Sequence, residues 1–132
     1  MYPTADMITT IMNAQAVNKE TVVLSFSRMK FDIANILKAS GYVANVERKK
    51  RKAKKSEHEL ISITLRYDEY GPAISGVKLI SRPSRRMYIK ASQIKPVRSG
   101  YGMSVVSTPK GVMGSKEARK QKLGGEILFE IW

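Results

Sequence analysis

Apolar residues in the first third of the chain recur first with the period of a helix and then with that of a strand. Ile8 and Ile11 in "YPTADMITTIMNAQAV" share one face of a predicted helix, for which Thr4 is the expected N-cap. A short β-branched strand in "VVLSFS" leads into a second predicted helix, which Ser27 caps and Gly41 ends. The pattern therefore predicts a helix, a strand and a second helix before residue 42.

From Tyr42 onward, apolar and polar residues alternate, as is typical of strands. Residues 42–46 and 60–67 are predicted strands, and Ile61 and Ile63 share one face of the second. The segment between them, "ERKKRKAKKSE", is predicted to be a basic connecting loop over residues 48–55. Turn residues in "DEYGPAI" and "SRPS" bound further short strands at "ISGVKLIS" and "RRMYIK".

The last third of the chain alternates again and contains one short helix. A strand ending near Val106 is followed by the turn "STPKG", by a basic helix that Ser115 caps and Gly124 ends, and by the strand "EILFEIW". We therefore predict an α+β fold of two small lobes. Residues 1–82 form an N-terminal α/β lobe with two helices and a short sheet, and residues 83–132 form a mainly β lobe with one short helix.

Charge points to the class of partner. The chain has 24 Lys and Arg against 11 Asp and Glu, a net charge of +13. This excess predicts a polyanionic partner, with nucleic acid as the first candidate. An acidic membrane surface and a polysaccharide are rivals, but no apolar run has the length of a membrane span, and the N-terminus lacks a basic-then-apolar secretory pattern. We expect a cytoplasmic protein without a membrane partner.

Composition argues against catalysis. The chain has no cysteine and one histidine, His58, so disulfide chemistry and sulfur-ligated zinc are excluded and a catalytic triad would have a single candidate base. The glycines of "KGVMGSK" and "GYGMSV" do not have the spacing of nucleotide-binding loops. Glu126 and Glu130 lie on one strand face without a third carboxylate, which makes a poor metal or acid–base pair. We therefore expect no enzyme activity, no cofactor and no metal.

Three features suit nucleic acid, and each has a simpler interpretation. Residues 48–55 carry seven basic residues in eight positions and would bind phosphate without selectivity, or they form a solvated, disordered loop. The hydroxyls of "STPKG" can hydrogen-bond the 2′-hydroxyls and minor-groove edges of RNA, or the segment is an ordinary hairpin turn. Tyr88, among arginines and a lysine, can stack on a base, or it is a half-buried tyrosine with its hydroxyl in water.

Several segments in combination carry a resemblance to a known family. The segments "ADMITTIMNA", "IANILKASGYV", "ISRPSRRMY" and "VVSTPKGVMGSKEARKQKLGGEILFEIW" closely resemble the bacterial family of the eighth protein of the small ribosomal subunit, in order and over nearly the whole chain. The resemblance implies two lobes and a primary binding site on the central domain of small-subunit ribosomal RNA, at an irregular helix with an internal loop. It also implies a role in assembling the platform, contacts with the fifth and twelfth small-subunit proteins, and in some bacteria repression of the protein's own operon messenger.

Family motifs assign roles to positions of this chain. The family's Ser-Thr-Ser-Lys-Gly loop corresponds to residues 107–111, where Pro109 replaces the second serine and removes two hydrogen-bond donors. Tyr88 corresponds to the stacking tyrosine, and Thr10 and Met12 stand where two arginines are usual. The predicted RNA-binding residues are Thr4, Lys30, Arg48, Lys49, Lys50, Arg51, Lys52, Arg86, Tyr88, Lys90, Ser107, Thr108, Pro109, Lys110 and Gly111, with Gly124, Gly125 and Glu126 as structural support of the loop.

The sequence thus predicts a non-catalytic ribosomal RNA-binding protein in the cytoplasm, within the ribosome. The C-terminal lobe is expected to supply selectivity and the N-terminal lobe charge. A general basic module of the RNA-chaperone or nucleoid type is the alternative, with repression of the protein's own operon as a further role. A metal-dependent nuclease built on Glu126 is third. DNA is not an expected partner.

Overall fold

A computed structural model describes residues 3–53, 56–95 and 102–132, and of residues 51–53 and 56–58 it describes the backbone alone. The described chain divides into two compact units, with the division between Ala73 and Ile74. The predicted lobe boundary after Arg82 lies further along, because Val77–Leu79 pairs with the last strand of the chain and so joins the second unit. The prediction of an α+β fold, helical at the N-terminal end and mostly β at the other, is confirmed.

The first unit combines two helices with a three-stranded antiparallel sheet. Its elements are α1 (Pro3–Ala16), β1 (Thr21–Ser25), α2 (Arg28–Ala39), β2 (Val43–Ala53), β3 (Ser56–Leu65), β4 (Tyr67–Asp68) and β5 (Gly71–Pro72). Strand β3 lies between β1 and β2, and β4 and β5 form a separate two-stranded ribbon. Ile61 and Ile63 of β3 are fully buried, as are Ile33 and Leu37 of α2, so the predicted apolar faces form the core.

Local capping chemistry explains where α2 begins and ends. The Ser27 hydroxyl accepts a hydrogen bond from the Lys30 amide at 3.1 Å, which is the predicted N-cap. Gly41 follows the helix with a φ of +82°, in the left-handed region that suits glycine. Helix α1 differs from the prediction, since Thr4 lies within the helix and is only 1% exposed. Thr4 is therefore a buried helix residue and not the N-cap.

The segment predicted as a basic loop is largely a strand. Strand β2 continues to Ala53, and its register with β3 sets Lys50 opposite Glu59 and Lys52 opposite Glu57. Opposite charges at facing positions favour strand pairing, which offsets the repulsion that led us to predict a loop. Residues 48–53 thus belong to β2, and residues 54 and 55 lie outside the described part of the chain.

The second unit is a sheet with one short helix. Its elements are β6 (Val77–Leu79), β7 (Tyr88–Ile89), a 3₁₀ turn (Ala91–Gln93), β8 (Met103–Thr108), β9 (Gly111–Gly114), α3 (Ser115–Lys120) and β10 (Gly125–Ile131). The strand order is β6, β10, β8, β9, and β7 also pairs with β10. The register between β8 and β10 shifts between Ile127 and Phe129. Phe129 and Val105 are fully buried in the core of this unit.

Helix α3 is bounded differently from the prediction. Gly114 occupies the N-cap position, and the Ser115 hydroxyl instead accepts a hydrogen bond from the Ser104 amide at 3.1 Å. The helix ends at Lys120, and Lys122 takes the left-handed conformation with a φ of +57°, so Gly124 does not end it. The first difference arises because a tertiary contact to Ser104, and not capping, occupies the Ser115 hydroxyl.

The C-terminal residue Trp132 is held against Gly76. The Ser75 amide donates to the Trp132 carbonyl at 2.7 Å, and the Trp132 amide donates to the Gly76 carbonyl at 3.0 Å. A Cβ at Gly76 would lie 2.6 Å from an indole ring carbon, so only glycine leaves room for the ring. No helix in residues 3–53, 56–95 or 102–132 is long and apolar enough to cross a membrane.

Candidate RNA interface

The predicted recognition turn is a two-residue hairpin connection. Strands β8 and β9 pair as far as Thr108 opposite Gly111, which leaves Pro109 and Lys110 as the connecting residues. Both are exposed, and Gly111 has a φ of +119°, which glycine adopts without strain. Pro109 fixes one backbone angle of the connection, so the turn presents Lys110 from a restricted backbone.

Thr108 holds this turn together from within. Its hydroxyl donates to the Gly111 carbonyl at 2.7 Å and accepts from the Lys110 amide at 3.2 Å. The residue is 8% exposed. The single hydroxyl proton of Thr108, which we expected to bond RNA sugars and base edges, is thus already donated inside the turn.

Three side chains form a row across the sheet beside the turn. Strand β10 sets Glu126 opposite Tyr88 of β7 on one side and opposite Ser107 of β8 on the other. Directly opposed residues of antiparallel strands point to the same face. Tyr88 is 71% exposed, and the Ser107 hydroxyl has no hydrogen-bond partner among the described residues. We call Tyr88, Glu126 and Ser107, with the connecting residues Pro109 and Lys110, the tyrosine face.

A carboxylate in the middle of this row is neutralised locally. Arg86 Nη1 lies 3.3 Å from both carboxylate oxygens of Glu126. The Glu126 side chain is 12% exposed and that of Arg86 54%. Glu126 thus orients Arg86 at the edge of the row, and the arginine offsets a negative charge that would repel phosphate. The sequence did not reveal this pair, because the two residues are forty positions apart.

Two glycines allow the strands around the row to approach closely. A Cβ at Gly125 would overlap the Ser107 carbonyl and lie 3.1 Å from Thr108 Cα. A Cβ at Gly124 would lie 2.5 Å from the Ile89 carbonyl oxygen. The predicted support role of this Gly-Gly-Glu segment therefore has a geometric basis, since only residues without a Cβ fit between β7 and the end of β8.

The remaining predicted residues differ in availability. Lys90 is exposed beside the row, and its amide faces Gln93 Oε1 at 3.5 Å. Thr4 is buried in α1, so the structure removes it from the predicted set. Lys30 Nζ donates to the Ser25 hydroxyl at 3.0 Å in the first unit. Among the described residues of the predicted set outside the basic segment, the side chains of Thr4 and Thr108 are buried.

In the basic segment, two of the three described side chains, those of Arg48 and Lys49, already have partners. Arg48 binds both carboxylate oxygens of Glu59, at 2.8 and 2.7 Å, and its guanidinium carbon lies 4.2 Å from the centroid of the Phe26 ring. Lys49 Nζ lies 3.5 Å from a Glu47 oxygen. Lys50 is exposed and makes no ion pair with the described residues. The side chains of Arg51 and Lys52 lie outside the described part of the structure.

Comparison with known proteins supports a single family. The family model described as ribosomal protein S8 matches residues 2–132. The chain is 42% identical to the small ribosomal subunit protein uS8 of Bdellovibrio bacteriovorus, over 97% of each protein. It is 41% identical to the uS8 protein of Persephonella marina over 98% of the chain and 97% of the relative, and 37% identical to that of Syntrophus aciditrophicus over 98% and 96%. The resemblance predicted from the motifs is confirmed, and the chain belongs to the ribosomal protein S8 family.

Proposed function

We propose that this chain is a structural, non-catalytic protein of the small ribosomal subunit and that it binds ribosomal RNA through the tyrosine face. Family membership and the names of the relatives support the ribosomal role. They favour it over a general basic nucleic-acid-binding module. A net charge of +13 supplies the attraction that a polyanionic partner requires.

The tyrosine face is the observation on which the RNA-binding site rests. It combines an exposed aromatic ring, a hydroxyl that has no hydrogen-bond partner among the described residues, and a lysine on a stiff turn, all at one end of a sheet. RNA that is recognised by sequence presents unstacked bases in loops and bulges, and an aromatic ring can stack on such a base. Ser107 can both donate to and accept from a 2′-hydroxyl, and Lys110 can bind a phosphate.

Each part of the turn has a distinct task in this proposal. The Thr108 hydroxyl does not donate a hydrogen bond to RNA. It fixes the conformation of the turn through its hydrogen bonds to the Gly111 carbonyl and the Lys110 amide. Pro109 stands where the family motif has a serine, and its ring stiffens the backbone of the turn. Ser107 is then the hydroxyl beside the turn that is available to RNA. Selectivity then depends on the shape of the face, because a preformed turn needs less ordering on binding.

The basic strand adds affinity without selectivity. Its cations release counterions when they bind phosphate, which gives a salt-dependent contribution. Since Arg48 and Lys49 already face carboxylates, we expect fewer than the seven basic residues of 48–55 to contribute. In this proposal the basic segment compensates for the two positive charges that are lost at Thr10 and Met12, where the family motif has arginines.

Finer aspects of the role are part of the same proposal. The family resemblance supports binding to an irregular helix with an internal loop in the central domain of small-subunit RNA. It also supports contacts with the fifth and twelfth small-subunit proteins, and binding to a messenger structure of the protein's own operon. The tyrosine face suits both RNAs, because the same internal-loop shape in either molecule would present the same groups.

Tyr88 gives the sharpest test of the site. Tyr88→Ala removes a stacking ring worth about 1–3 kcal/mol per base, so we expect affinity for an RNA containing the internal loop to fall roughly 5- to 150-fold. Tyr88→Phe keeps the ring and should bind within about threefold of the parent. Affinities are measured by filter binding at fixed salt, with a random duplex of equal length as the control RNA. Equal losses on both RNAs, or no loss on either, would contradict the proposed site.

A further inference from the structure

A second basic surface lies in the C-terminal unit, near β6 and β7. It is a groove of about 300 Å³ lined by Lys78, Leu79, Ile80, Arg82, Arg85 and Met87, which we call the arginine groove. Lys78 and the two arginines are exposed, while Leu79 and Ile80 are half-buried and Met87 is 36% exposed. Three cations thus border an apolar floor.

The cations of this groove are not neutralised. Among the described residues, none of Lys78, Arg82 and Arg85 makes an ion pair. Glu130 lies opposite Lys78 in the strand register, but no ion pair joins the two. Arg86, in the same connection, contrasts with them because Glu126 binds it. The groove therefore presents three positive charges that have no ion-pair partner in the described part of the chain, which favours an anionic ligand.

The backbone that carries the two arginines is fixed by hydrogen bonds. The amide of Arg82 donates to the carbonyl of Arg85, and the reverse bond is also present, both at 3.0 Å. Ser81 is fully buried, and its hydroxyl accepts from the Met87 amide at 3.0 Å and donates to the Ile127 carbonyl at 2.5 Å. The groove is therefore preformed, so that binding needs little ordering of the chain.

Groove chemistry distinguishes between anionic ligands. A bare phosphate would use the cations and leave the apolar floor exposed to water. A nucleotide uses both, since its phosphate pairs with arginine and its base packs on Met87 or on a guanidinium plane. The volume is at the lower end of the range of about 300–1,000 Å³ for small-ligand sites, which suits one nucleotide better than a folded partner.

The arginine groove is also separate from the tyrosine face. Met87, which lines the groove, directly precedes strand β7, whereas Tyr88 of β7 belongs to the row with Glu126. None of the six residues that line the groove belongs to the tyrosine face. RNA bound at the tyrosine face therefore does not occupy the side chains of the groove.

We propose that the arginine groove binds a phosphate and the adjacent base of a single-stranded RNA segment while the tyrosine face holds its own RNA. The choice of RNA as the ligand rests on the proposed function. The location and the chemistry of the groove are independent of the proposed function. In this arrangement one unit joins two RNA segments through two separate sets of residues.

A ternary-complex experiment tests the proposal. The protein is saturated with an unlabelled internal-loop hairpin RNA, and a fluorescein-labelled ten-nucleotide oligouridylate is titrated while its anisotropy is measured. We expect the oligonucleotide to bind to the saturated protein. In the double variant Arg82→Gln/Arg85→Gln, its affinity should fall about tenfold and its logarithmic salt slope should become shallower by roughly 1.4, which is 0.7 for each lost charge. Hairpin affinity should stay within about twofold of the parent.

The matched control removes two exposed cations elsewhere in the same unit, as Arg119→Gln/Lys120→Gln. It should leave oligonucleotide binding within about twofold. Displacement of the oligonucleotide by the hairpin, an unchanged affinity in the groove variant, or an equal loss in the control would each overturn the proposal. If the hairpin does not bind but oligonucleotide binding still depends on both arginines, the proposed function fails and the groove stands. Circular dichroism checks that each variant is folded.

Discussion

Gly125→Ala tests whether close approach of two strands shapes the tyrosine face. The added Cβ would overlap the Ser107 carbonyl oxygen, lie 2.8 Å from the Ser107 carbonyl carbon and lie 3.1 Å from Thr108 Cα. All of these are backbone atoms, so no side-chain rotation relieves the overlap. Strands β8 and β10 would have to separate at the end that carries the turn, and the row of Tyr88, Glu126 and Ser107 would lose its spacing.

The size of the effect follows from overpacking. An extra methyl in a well-packed site costs typically about 1–3 kcal/mol, and we expect the upper part of this range because the neighbours are backbone atoms. The entropic gain of replacing glycine, about 0.4–1 kcal/mol, opposes it only in part. A domain of this size changes its melting temperature by about 4 °C per kcal/mol, so we expect a fall of roughly 4–10 °C.

Thermal unfolding followed by circular dichroism measures this change, and Ser107→Ala is the matched control. The Ser107 hydroxyl has no partner among the described residues, so its removal should change the unfolding free energy by less than about 0.5 kcal/mol. Both variants should weaken binding of the internal-loop RNA, but only Gly125→Ala should lower the melting temperature. A Gly125→Ala protein as stable as the parent would refute the argument.

Two further predictions concern the turn and the central carboxylate. Thr108→Ala removes both hydrogen bonds of the turn hydroxyl, so filter binding should show a larger loss for internal-loop RNA than for random duplex, and Thr108→Ser should restore most of it. Equal losses on the two RNAs would show that the turn has only a structural role. Glu126→Gln removes the charge that neutralises Arg86, so a salt titration should give a logarithmic slope steeper by about 0.7–0.9. An unchanged slope would mean that Arg86 does not reach phosphate.

The elements that were predicted correctly from the sequence include those whose boundaries are specified by residues within the same segment. Helix α2 has its cap and its terminating glycine within the segment itself, and both signals were correct. The basic segment was misjudged because its pairing depends on acidic residues of β3 across a hairpin, as with Lys50 and Glu59. Ser115 resembled a helix cap, but its hydroxyl bonds the Ser104 amide of β8. These two wrong predictions therefore share a cause, since each depends on a partner outside the segment that carries the signal.

The candidate site divides in the same way. Motif composition located the turn at residues 107–111, because a turn is a property of a short segment, but it left open whether Tyr88 is exposed or half-buried, and the structure shows it exposed. The row that joins Tyr88 to Ser107 through Glu126 depends on the register of three strands, which no local pattern encodes. The internal role of Thr108 likewise depends on the geometry of the turn, since a hydroxyl looks the same in sequence whether it faces solvent or a carbonyl.

The packing of Trp132 against Gly76 has a practical consequence. Trp132 is the only tryptophan in the chain, and its ring and backbone contacts to residues 75 and 76 lie within the C-terminal unit. Its intrinsic fluorescence is therefore a built-in spectroscopic reporter for that unit. Comparing its denaturation midpoint with that of the whole-chain far-ultraviolet signal would reveal whether the two halves melt as one cooperative block or independently.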